Sequence, residues 1–324
     1  MIKIFYGPNH GFDNILPEEI NSYTLTELID IHDMKINSEE NNLKRIIESG
    51  SKLNLIVRTH EYARLSNSGF NGFLSLLQIF NIDNMYFQNP PSIIENQLRK
   101  EKSEKIIVER YDYKKVNMDR VEIFYNKYNN KVLGQEGARI NIASSLYRIA
   151  KDYNNDKPLV LLFWGPSGVG KTESAKLIAD TLGEKLFRKQ FSMYQNIEFG
   201  NYVFGGSHSD SSLARDLLER ESNVILFDEF DKSSQLFHSA FYQMFDEGIF
   251  EDKNYKVNLK NSIIICTSNF LSEQDIRRAL GEPIYNRIDS TIQFQPLSTE
   301  IVEKLIESSL NNVYKNLSND EKNL

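Results

Sequence analysis

Short apolar runs and helical repeats alternate along the chain. In the first hundred residues, Ile2, Ile4 and Tyr6 alternate with polar neighbours, which predicts a short strand. The apolar segments 53–57 and 85–87 predict two more strands. Because segments with helical spacing separate these strands, we expect a small α/β domain at the N-terminus.

Three segments between those strands predict helices. Thr24 and Glu27 have the spacing of a capping box, so a helix is expected to begin after Thr24. Residues 41–49 form a second helical pattern, and residues 72–80 form an apolar third. Residues 99–115 mix basic and acidic side chains densely, which favours a solvated connector over a phosphate-binding patch. The N-terminal domain is therefore predicted to cover residues 1–115.

The apolar runs in the second half are longer and predict buried strands of a parallel sheet. They lie within residues 159–164, 224–227 and 262–269. Residues 172–182 carry apolar side chains at helical spacing, so a helix is expected to flank this sheet. The predicted fold class is α/β, with a parallel sheet flanked by helices over residues 116–298.

A glycine-rich loop joins the first of these strands to its helix. The loop matches the phosphate-binding pattern G-x-x-x-x-G-K-[ST] at every fixed position. Lys171 is expected to reach the β- and γ-phosphates, and the Thr172 hydroxyl is expected to ligate Mg²⁺. Strand, loop and helix in this order aim a helix N-terminus at an anion, which favours a nucleoside triphosphate site over a plain glycine turn. The predicted nucleotide-binding residues of the loop are Gly165, Pro166, Ser167, Gly168, Val169, Gly170, Lys171 and Thr172.

Polar residues end the other two buried strands, at the edge where open α/β sheets bind ligands. Asp228 is suited to hold Mg²⁺, and Glu229 is suited to act as general base on the attacking water. Asn269 is expected to hydrogen-bond the γ-phosphate or that water. Arg287 is a candidate arginine finger for the ATP of a neighbouring subunit. The alternatives are an acidic turn for the two carboxylates and a surface ion pair for the arginine.

Composition narrows the class of protein. The chain has 324 residues and 40% hydrophobic content, enough for two domains with cores of their own. Its net charge of −7 argues against sequence-independent binding of nucleic acid. Cys266 is the only cysteine, so no disulfide framework and no cysteine-based zinc site is expected. No segment reaches the roughly 20 apolar residues of a membrane span, and a cytoplasmic setting is the expectation.

Five motifs in order make residues 132–297 resemble the ATPase module of the Clp-type AAA+ chaperones. VLGQEGA, which begins at Val132, resembles the opening Gly-Gln motif of that family. GPSGVGKT and LFDEFDK resemble its Walker A and Walker B segments, the stretch that ends at Asn269 resembles sensor 1, and YNRID resembles its arginine-finger segment. The resemblance implies a P-loop NTPase core of the AAA+ type, in which Val132 and Leu133 pack against the adenine.

Two segments depart from the pattern of that family. Residues 201–217 read NYVFGGSHSDSSLARDL where the family usually has a Gly-aromatic-Val-Gly pore loop that grips a substrate polypeptide. Residues 298–317 predict one amphipathic helix, whereas the lid of the family has several helices and a sensor-2 arginine. We therefore expect residues 299–324 to form the first helix of a lid that is otherwise largely absent.

These features together predict Mg-dependent hydrolysis of ATP, coupled to remodelling or unfolding of a protein partner. The N-terminal domain is expected to select that partner. A homo-oligomeric ring is expected because Arg287 would act on an adjacent subunit. The alternative is a nucleotide-dependent switch or assembly factor that does not thread its substrate, similar to torsins in lacking a pore aromatic. Nucleic acid and membrane are not expected as partners.

Overall fold

Two five-stranded parallel sheets, one in each of two packing units, organise the chain. The computed structural model describes residues 1–17, 22–37, 53–80, 82–102, 105–193, 197–233 and 235–316. The first unit contains Met1–Tyr113, Tyr194–Glu221 and Glu247–Leu259, and the second contains Lys114–Met193, Ser222–Asp246 and Lys260–Leu324.

The described strands follow the predicted apolar runs closely. The three strands predicted in the first hundred residues are confirmed, and the buried runs of the second half are strands as well. In chain order the strands are β1 (Ile2–Tyr6), β2 (Ser22–Thr24), β3 (Leu53–Val57), β4 (Ile82–Gln88), β5 (Ile106–Arg110), β6 (Leu159–Trp164), β7 (Phe187–Gln190), β8 (Val224–Asp228), β9 (Ile249–Glu251), β10 (Lys256–Asn258), β11 (Ile263–Ser268) and β12 (Ser290–Gln293).

The described helices are mostly short. The capping box is confirmed, because Glu27 N donates to Thr24 Oγ1 and Thr24 N donates to Glu27 Oε2. The helix predicted over residues 41–49 lies outside the described residues. The α-helices are α1 (Asn9–Asp13), α2 (Leu25–Asn37), α3 (Asn67–Asn71), α4 (Phe73–Gln78), α5 (Ser92–Lys102), α6 (Met118–Lys131), α7 (Glu136–Ala150), α8 (Lys171–Leu182), α9 (Ile197–Phe204), α10 (Leu213–Leu218), α11 (Gln235–His238), α12 (Tyr242–Glu247), α13 (Glu273–Leu280), α14 (Glu282–Tyr285) and α15 (Thr299–Asn316).

The first sheet has the order β2-β3-β4-β1-β5, with all neighbouring strands parallel. Strand β5 lies within the segment that we predicted to be a solvated connector, and that prediction was wrong. The reason is its position at the edge of the sheet, where Ile107 and Val108 stay exposed and charged residues flank them. An edge strand of this kind lacks the buried apolar run that identifies a central strand.

The second sheet has the order β12-β6-β11-β8-β7 and is also parallel. Strands β6, β8 and β11 are buried along almost their whole length. In the register of β11, Cys266 pairs with Leu162 on one side and Phe227 on the other. Because the three strands run in parallel, their carboxyl ends meet at one edge. Burial raises the pKa of the Cys266 thiol well above its usual range.

Two segments that lie within the predicted domain of residues 116–298 pack in the first unit. One holds α9 and α10, and the other is the antiparallel hairpin of β9 and β10. Leu213, Leu217 and Tyr255 of these segments are buried. A single boundary between two domains, placed at one linker in the sequence, cannot describe a unit that is built from three separate segments of the chain. The predicted boundaries at residues 115 and 298 remain predictions.

The amphipathic helix predicted after residue 298 is confirmed as α15. Its first turn packs near Gly134, where an added Cβ would lie 2.4 Å from Ile301 Cδ1. Farther along the helix, Leu305, Leu310 and Val313 are exposed. Within the described part of the chain, no helix combines the length and apolar character that crossing a bilayer requires.

The turn that follows β6 passes very close to the end of β12. Phe294 N donates to Trp164 O at 2.8 Å, which brings the carbonyl of Phe294 against Gly165. A Cβ at Gly165 would lie 2.2 Å from Phe294 O, and the residue has a φ of 134°. Gly168 also has a positive φ, of 78°, but an added Cβ there meets nothing within 4 Å.

Gly165→Ala and Gly168→Ala are therefore a matched pair for testing this close approach. We expect Gly168→Ala to lower the free energy of unfolding by about 1–2 kcal/mol, because only left-handed strain is added. Gly165→Ala should lose about 1–3 kcal/mol more, because the backbone of β12 must also shift. Urea unfolding of the two variants measures the difference. Equal losses would contradict the close contact with Phe294.

Candidate active site

The glycine-rich loop forms a tight turn between β6 and α8. Gly165, Gly168 and Gly170 all have positive φ angles, of 134°, 78° and 106°. Helix α8 begins at Lys171, directly after Gly170, so the positive end of its dipole lies at the loop. Backbone that only glycine adopts easily, joined to a helix N-terminus, is the arrangement that phosphate groups bind.

Lys171 is the buried cation of this loop. Its ammonium donates to the carbonyl oxygens of Gly165 and Pro166, each at 2.7 Å, and to Asn269 Oδ1 at 2.9 Å. An ammonium group has three protons, so all three are used. Burial lowers the pKa of Lys171, and the nearby carboxylates oppose that effect. The structure thus joins Lys171 of the loop after β6 to Asn269, which follows β11. Separate motifs had predicted these two site residues.

Asp228 ends β8 and is nearly buried, with 10% of its side chain exposed. Thr267 Oγ1 donates to Asp228 Oδ1 at 2.5 Å, and Arg188 Nη2 donates to Oδ2. Each carboxylate oxygen therefore has a donor from a neighbouring strand, β11 on one side and β7 on the other. Thr172, the second predicted metal ligand, is half-buried in the first turn of α8. Carboxylate and hydroxyl oxygens are ligands that Mg²⁺ accepts.

Glu229 follows Asp228 with a left-handed backbone, at φ 54° and ψ 45°. This conformation is strained for a residue with a side chain and is concentrated at functional sites. Its backbone N–H donates to Thr267 Oγ1 at 2.9 Å, which holds the turn. Its carboxylate accepts a hydrogen bond from Gln190 Nε2 at 3.4 Å. The turn at the end of β8 therefore presents two adjacent carboxylates at the same edge as Lys171.

The VLGQ segment packs against the glycine-rich loop. Val132 is 3% exposed, and a Cβ added at Gly170 would lie 2.7 Å from Val132 Cγ1. Leu133, the other residue predicted to contact adenine, is half-buried. Gln135 donates to Gln295 O at 2.8 Å and accepts from Gln295 N at 2.9 Å, which fixes the segment beside the end of β12. The structure therefore brings Val132 to the loop through direct packing.

Arg287 belongs to a different hydrogen-bonded group from Lys171. Its guanidinium donates to Asp246 Oδ2 at 2.7 Å and to Pro283 O at 2.6 Å, and it lies 4.6 Å from the ring centre of Tyr242. It also lines a cleft of about 310 Å³ together with Arg148 and Lys157. The ion pair with Asp246 agrees with the alternative of a surface ion pair for Arg287. The cationic side chains of the cleft are compatible with the prediction of an arginine finger.

Three residues at this edge were missed by sequence reasoning: Arg188, Gln190 and Thr267. The first two lie on β7, whose four residues include two charged and one amide side chain and therefore gave no apolar signal. Residues two apart on a strand share a face, so Arg188 and Gln190 both lie on the face of the sheet that carries Asp228, the register partner of Gln190. Thr267 lies near the end of the apolar run of β11. The signal that could have identified it is its hydroxyl group, next to Ser268 at the end of the strand.

Comparison with known proteins identifies the family of this site. Residues 156–315, about half of the chain, match the model of the AAA domain (Cdc48 subfamily). The chaperone protein ClpB of Chlamydia caviae is 31% identical over 235 residues, covering 61% of this chain. The Clp protease ATP-binding subunit ClpL of Staphylococcus aureus is 28% identical over 221 residues, covering 61% of the chain.

The chain spans only part of these relatives, 27% of the ClpB length and 32% of the ClpL length. A closed-state cryo-electron microscopy reconstruction of Hsp104 with ATPγS and FITC-casein superposes with a TM-score of 0.55 at 15% identity. The superposition covers 98% of this chain and 80% of that one, which shows a shared fold. With the five motifs and the geometry of the loop, the matched part of the chain belongs to the Clp-type AAA+ ATPases.

Proposed function

We propose that the chain binds and hydrolyses Mg·ATP at the carboxyl edge of its second sheet. The observation that carries the proposal is the group formed there by Lys171, Asn269, Asp228 and Glu229. Phosphoryl transfer is catalysed almost entirely by positioning and by neutralising charge. A buried ammonium, an amide and two carboxylates beside a phosphate-binding turn supply the groups for both.

The residues fit a triphosphate with its metal. In this proposal the loop N–H groups hold the phosphates, and Val132 and Leu133 pack against the adenine. Thr172 and Asp228 hold Mg²⁺, which when bound supplies positive charge that stabilises the phosphate oxygens. Lys171 exchanges its carbonyl partners for phosphate oxygens, which compensate its buried charge better than neutral carbonyls do.

Glu229 is the proposed general base. The left-handed turn at this residue separates the direction of its side chain from that of Asp228, so the two carboxylates can take different roles. Thr267 holds the backbone and Gln190 contacts the carboxylate, which together restrain its position. Asn269, fixed by Lys171, is positioned in this proposal to orient the attacking water or the γ-phosphate.

Arg287 is proposed to act on the ATP of an adjacent subunit in a homo-oligomeric ring. Its cleft carries three cationic side chains, from Arg287, Arg148 and Lys157, and two acidic ones, from Asp246 and Asp289. The net positive charge of this cleft favours binding of an anionic group from a neighbouring subunit. In this proposal Arg287 leaves Asp246 to meet the developing charge.

The output of hydrolysis is proposed to be remodelling or unfolding of a protein partner in the cytoplasm. The relatives ClpB, a chaperone, and ClpL, a protease ATP-binding subunit, support this proposal. The N-terminal sheet is the proposed selector of the partner.

A specific observation favours the second candidate, a nucleotide-dependent switch that does not thread its substrate. The segment at the position of the pore loop packs in the first unit. There the ring of His208 stacks on Phe70, with ring centres 3.8 Å apart, and Phe204 O accepts from Lys253 N of the β9–β10 hairpin at 2.9 Å. A loop held by such contacts is not available to grip a polypeptide.

Glu229→Gln tests the proposed base. We expect turnover to fall by about 10²–10⁴-fold with ATP affinity unchanged, because the amide keeps the shape and loses the proton acceptor. Steady-state hydrolysis and equilibrium ATP binding measure the two effects. Glu251→Gln, at an exposed carboxylate paired with Lys256, is the matched control and should behave as wild type. Unchanged turnover in Glu229→Gln would remove this residue from its role.

Arg287→Ala tests whether the finger acts between subunits. We expect hydrolysis to fall by about 10³-fold or more with ATP binding retained. Mixing this variant with Lys171→Ala should restore part of the activity, because one subunit then supplies the intact site and the other the arginine. Arg278→Ala, at a side chain that is 78% exposed, is the control. Failure of every mixing ratio to restore hydrolysis would refute action in trans.

His208→Ala tests the non-threading candidate. Removing the ring stacked on Phe70 should increase hydrogen exchange of the backbone between residues 200 and 212, with ATP hydrolysis retained. Ser211→Ala, on the same segment, is the control. If the non-threading candidate holds, the wild type should also hydrolyse ATP without unfolding a folded fluorescent protein that carries an unstructured tail. ATP-dependent loss of that fluorescence with the wild type would instead favour threading.

A further inference from the structure

We propose that Arg188 positions the carboxylate of Asp228 and competes with a divalent metal for it when no nucleotide is bound. This inference rests on the proposed function, in which Asp228 holds Mg²⁺. Arg188 is a positioning residue here, because it acts through Asp228 and not on the substrate.

The contact follows from the register of β7 and β8. Gln190 lies beside Asp228 in the parallel pair, and Arg188 lies two residues earlier on the same face. The longer side chain of Arg188 reaches Asp228 Oδ2, and the shorter one of Gln190 reaches Glu229 at 3.4 Å. The edge strand of the sheet therefore supplies one donor to each of the two adjacent carboxylates.

Burial makes this counter-charge necessary. Only 10% of the Asp228 side chain is exposed, and a carboxylate held so far from water needs a cation or several donors. The Lys171 ammonium donates to Gly165, Pro166 and Asn269. Arg188 is thus the cation in direct contact with Asp228 among the described residues.

The same geometry makes the contact reversible. The Arg188 side chain is 44% exposed, so it can move into solvent without leaving a buried charge of its own. Its guanidinium occupies Oδ2 while the Thr267 hydroxyl occupies Oδ1. A metal that binds an oxygen of Asp228 is repelled by the positive charge of the guanidinium beside it, and the exposed arginine is the group able to move away. Arg188 therefore disfavours metal binding to the nucleotide-free site.

The test uses the full chain without nucleotide and Mn²⁺ alone, a cation that accepts the same oxygen ligands as Mg²⁺ and is measured by electron paramagnetic resonance. We expect Arg188→Ala to bind Mn²⁺ about tenfold more tightly than wild type, because one charge-assisted hydrogen bond no longer competes. Arg188→Lys keeps the charge and should stay near the wild-type affinity. Lys189→Ala, at the next residue of β7, is the matched control and should also stay there.

Two further measurements keep the inference falsifiable. The gain should vanish in the double variant Arg188→Ala with Asp228→Asn, and Mg²⁺ alone should raise the melting temperature of Arg188→Ala more than that of wild type. Unchanged or weaker Mn²⁺ binding in Arg188→Ala, or a gain that persists in the double variant, would overturn the inference. A general loss of structure would weaken metal binding, so it cannot imitate the expected gain.

The wild-type chain separates this inference from the proposed function. If it hydrolyses ATP and Arg188→Ala shows no gain in Mn²⁺ affinity, the role of Arg188 alone fails. If the gain is present and the wild type neither binds nor hydrolyses ATP, the proposed function fails and the competition at Asp228 stands.

Discussion

A single hydroxyl group, that of Thr267, connects the two strands on which the acidic end of the site depends. It donates a hydrogen bond to Asp228 Oδ1 and accepts one from the backbone N–H of Glu229. A hydroxyl can do both at once, whereas an amide hydrogen or a methyl group cannot. The left-handed backbone at Glu229 costs free energy that a bond of this kind helps to offset. The positions of both carboxylates therefore depend on a residue outside the Walker B segment that contains them.

The charges around the lysine explain why the site is suited to accept cations along with an anion. Asp228, Asp231 and Glu229 all act on Lys171 through their negative charge. The side chain of Asp231 is 1% exposed, and burial raises the pKa of its carboxyl group. Because Asp228 and Glu229 lie at this edge, a triphosphate that enters without a metal meets the negative charge of these two carboxylates. In the proposed function, nucleotide and metal binding are thereby coupled through electrostatics.

The parts of the fold that could be predicted from the sequence are those with dense apolar signals. Buried runs such as residues 159–164 identified the central strands, and the fixed spacing of the phosphate loop located Lys171 and its neighbours. Strand β5 was missed because an edge strand need not be apolar, and Arg188 was missed because a short charged strand resembles a loop. The return of α9 and α10 to the first unit was unpredictable for another reason: it is set by tertiary contacts such as the stack of His208 on Phe70.

The position of the single thiol has a practical consequence. Cys266 lies at the centre of β11, with a strand on either side, and its raised pKa keeps it in the unreactive thiol form. An alkylating reagent can reach it only after the residues that cover its face of the sheet have moved away. The Cys266 thiol is therefore a native chemical reporter. Its rate of modification reports opening of the core around the ATPase sheet and does not respond to motions of the surface.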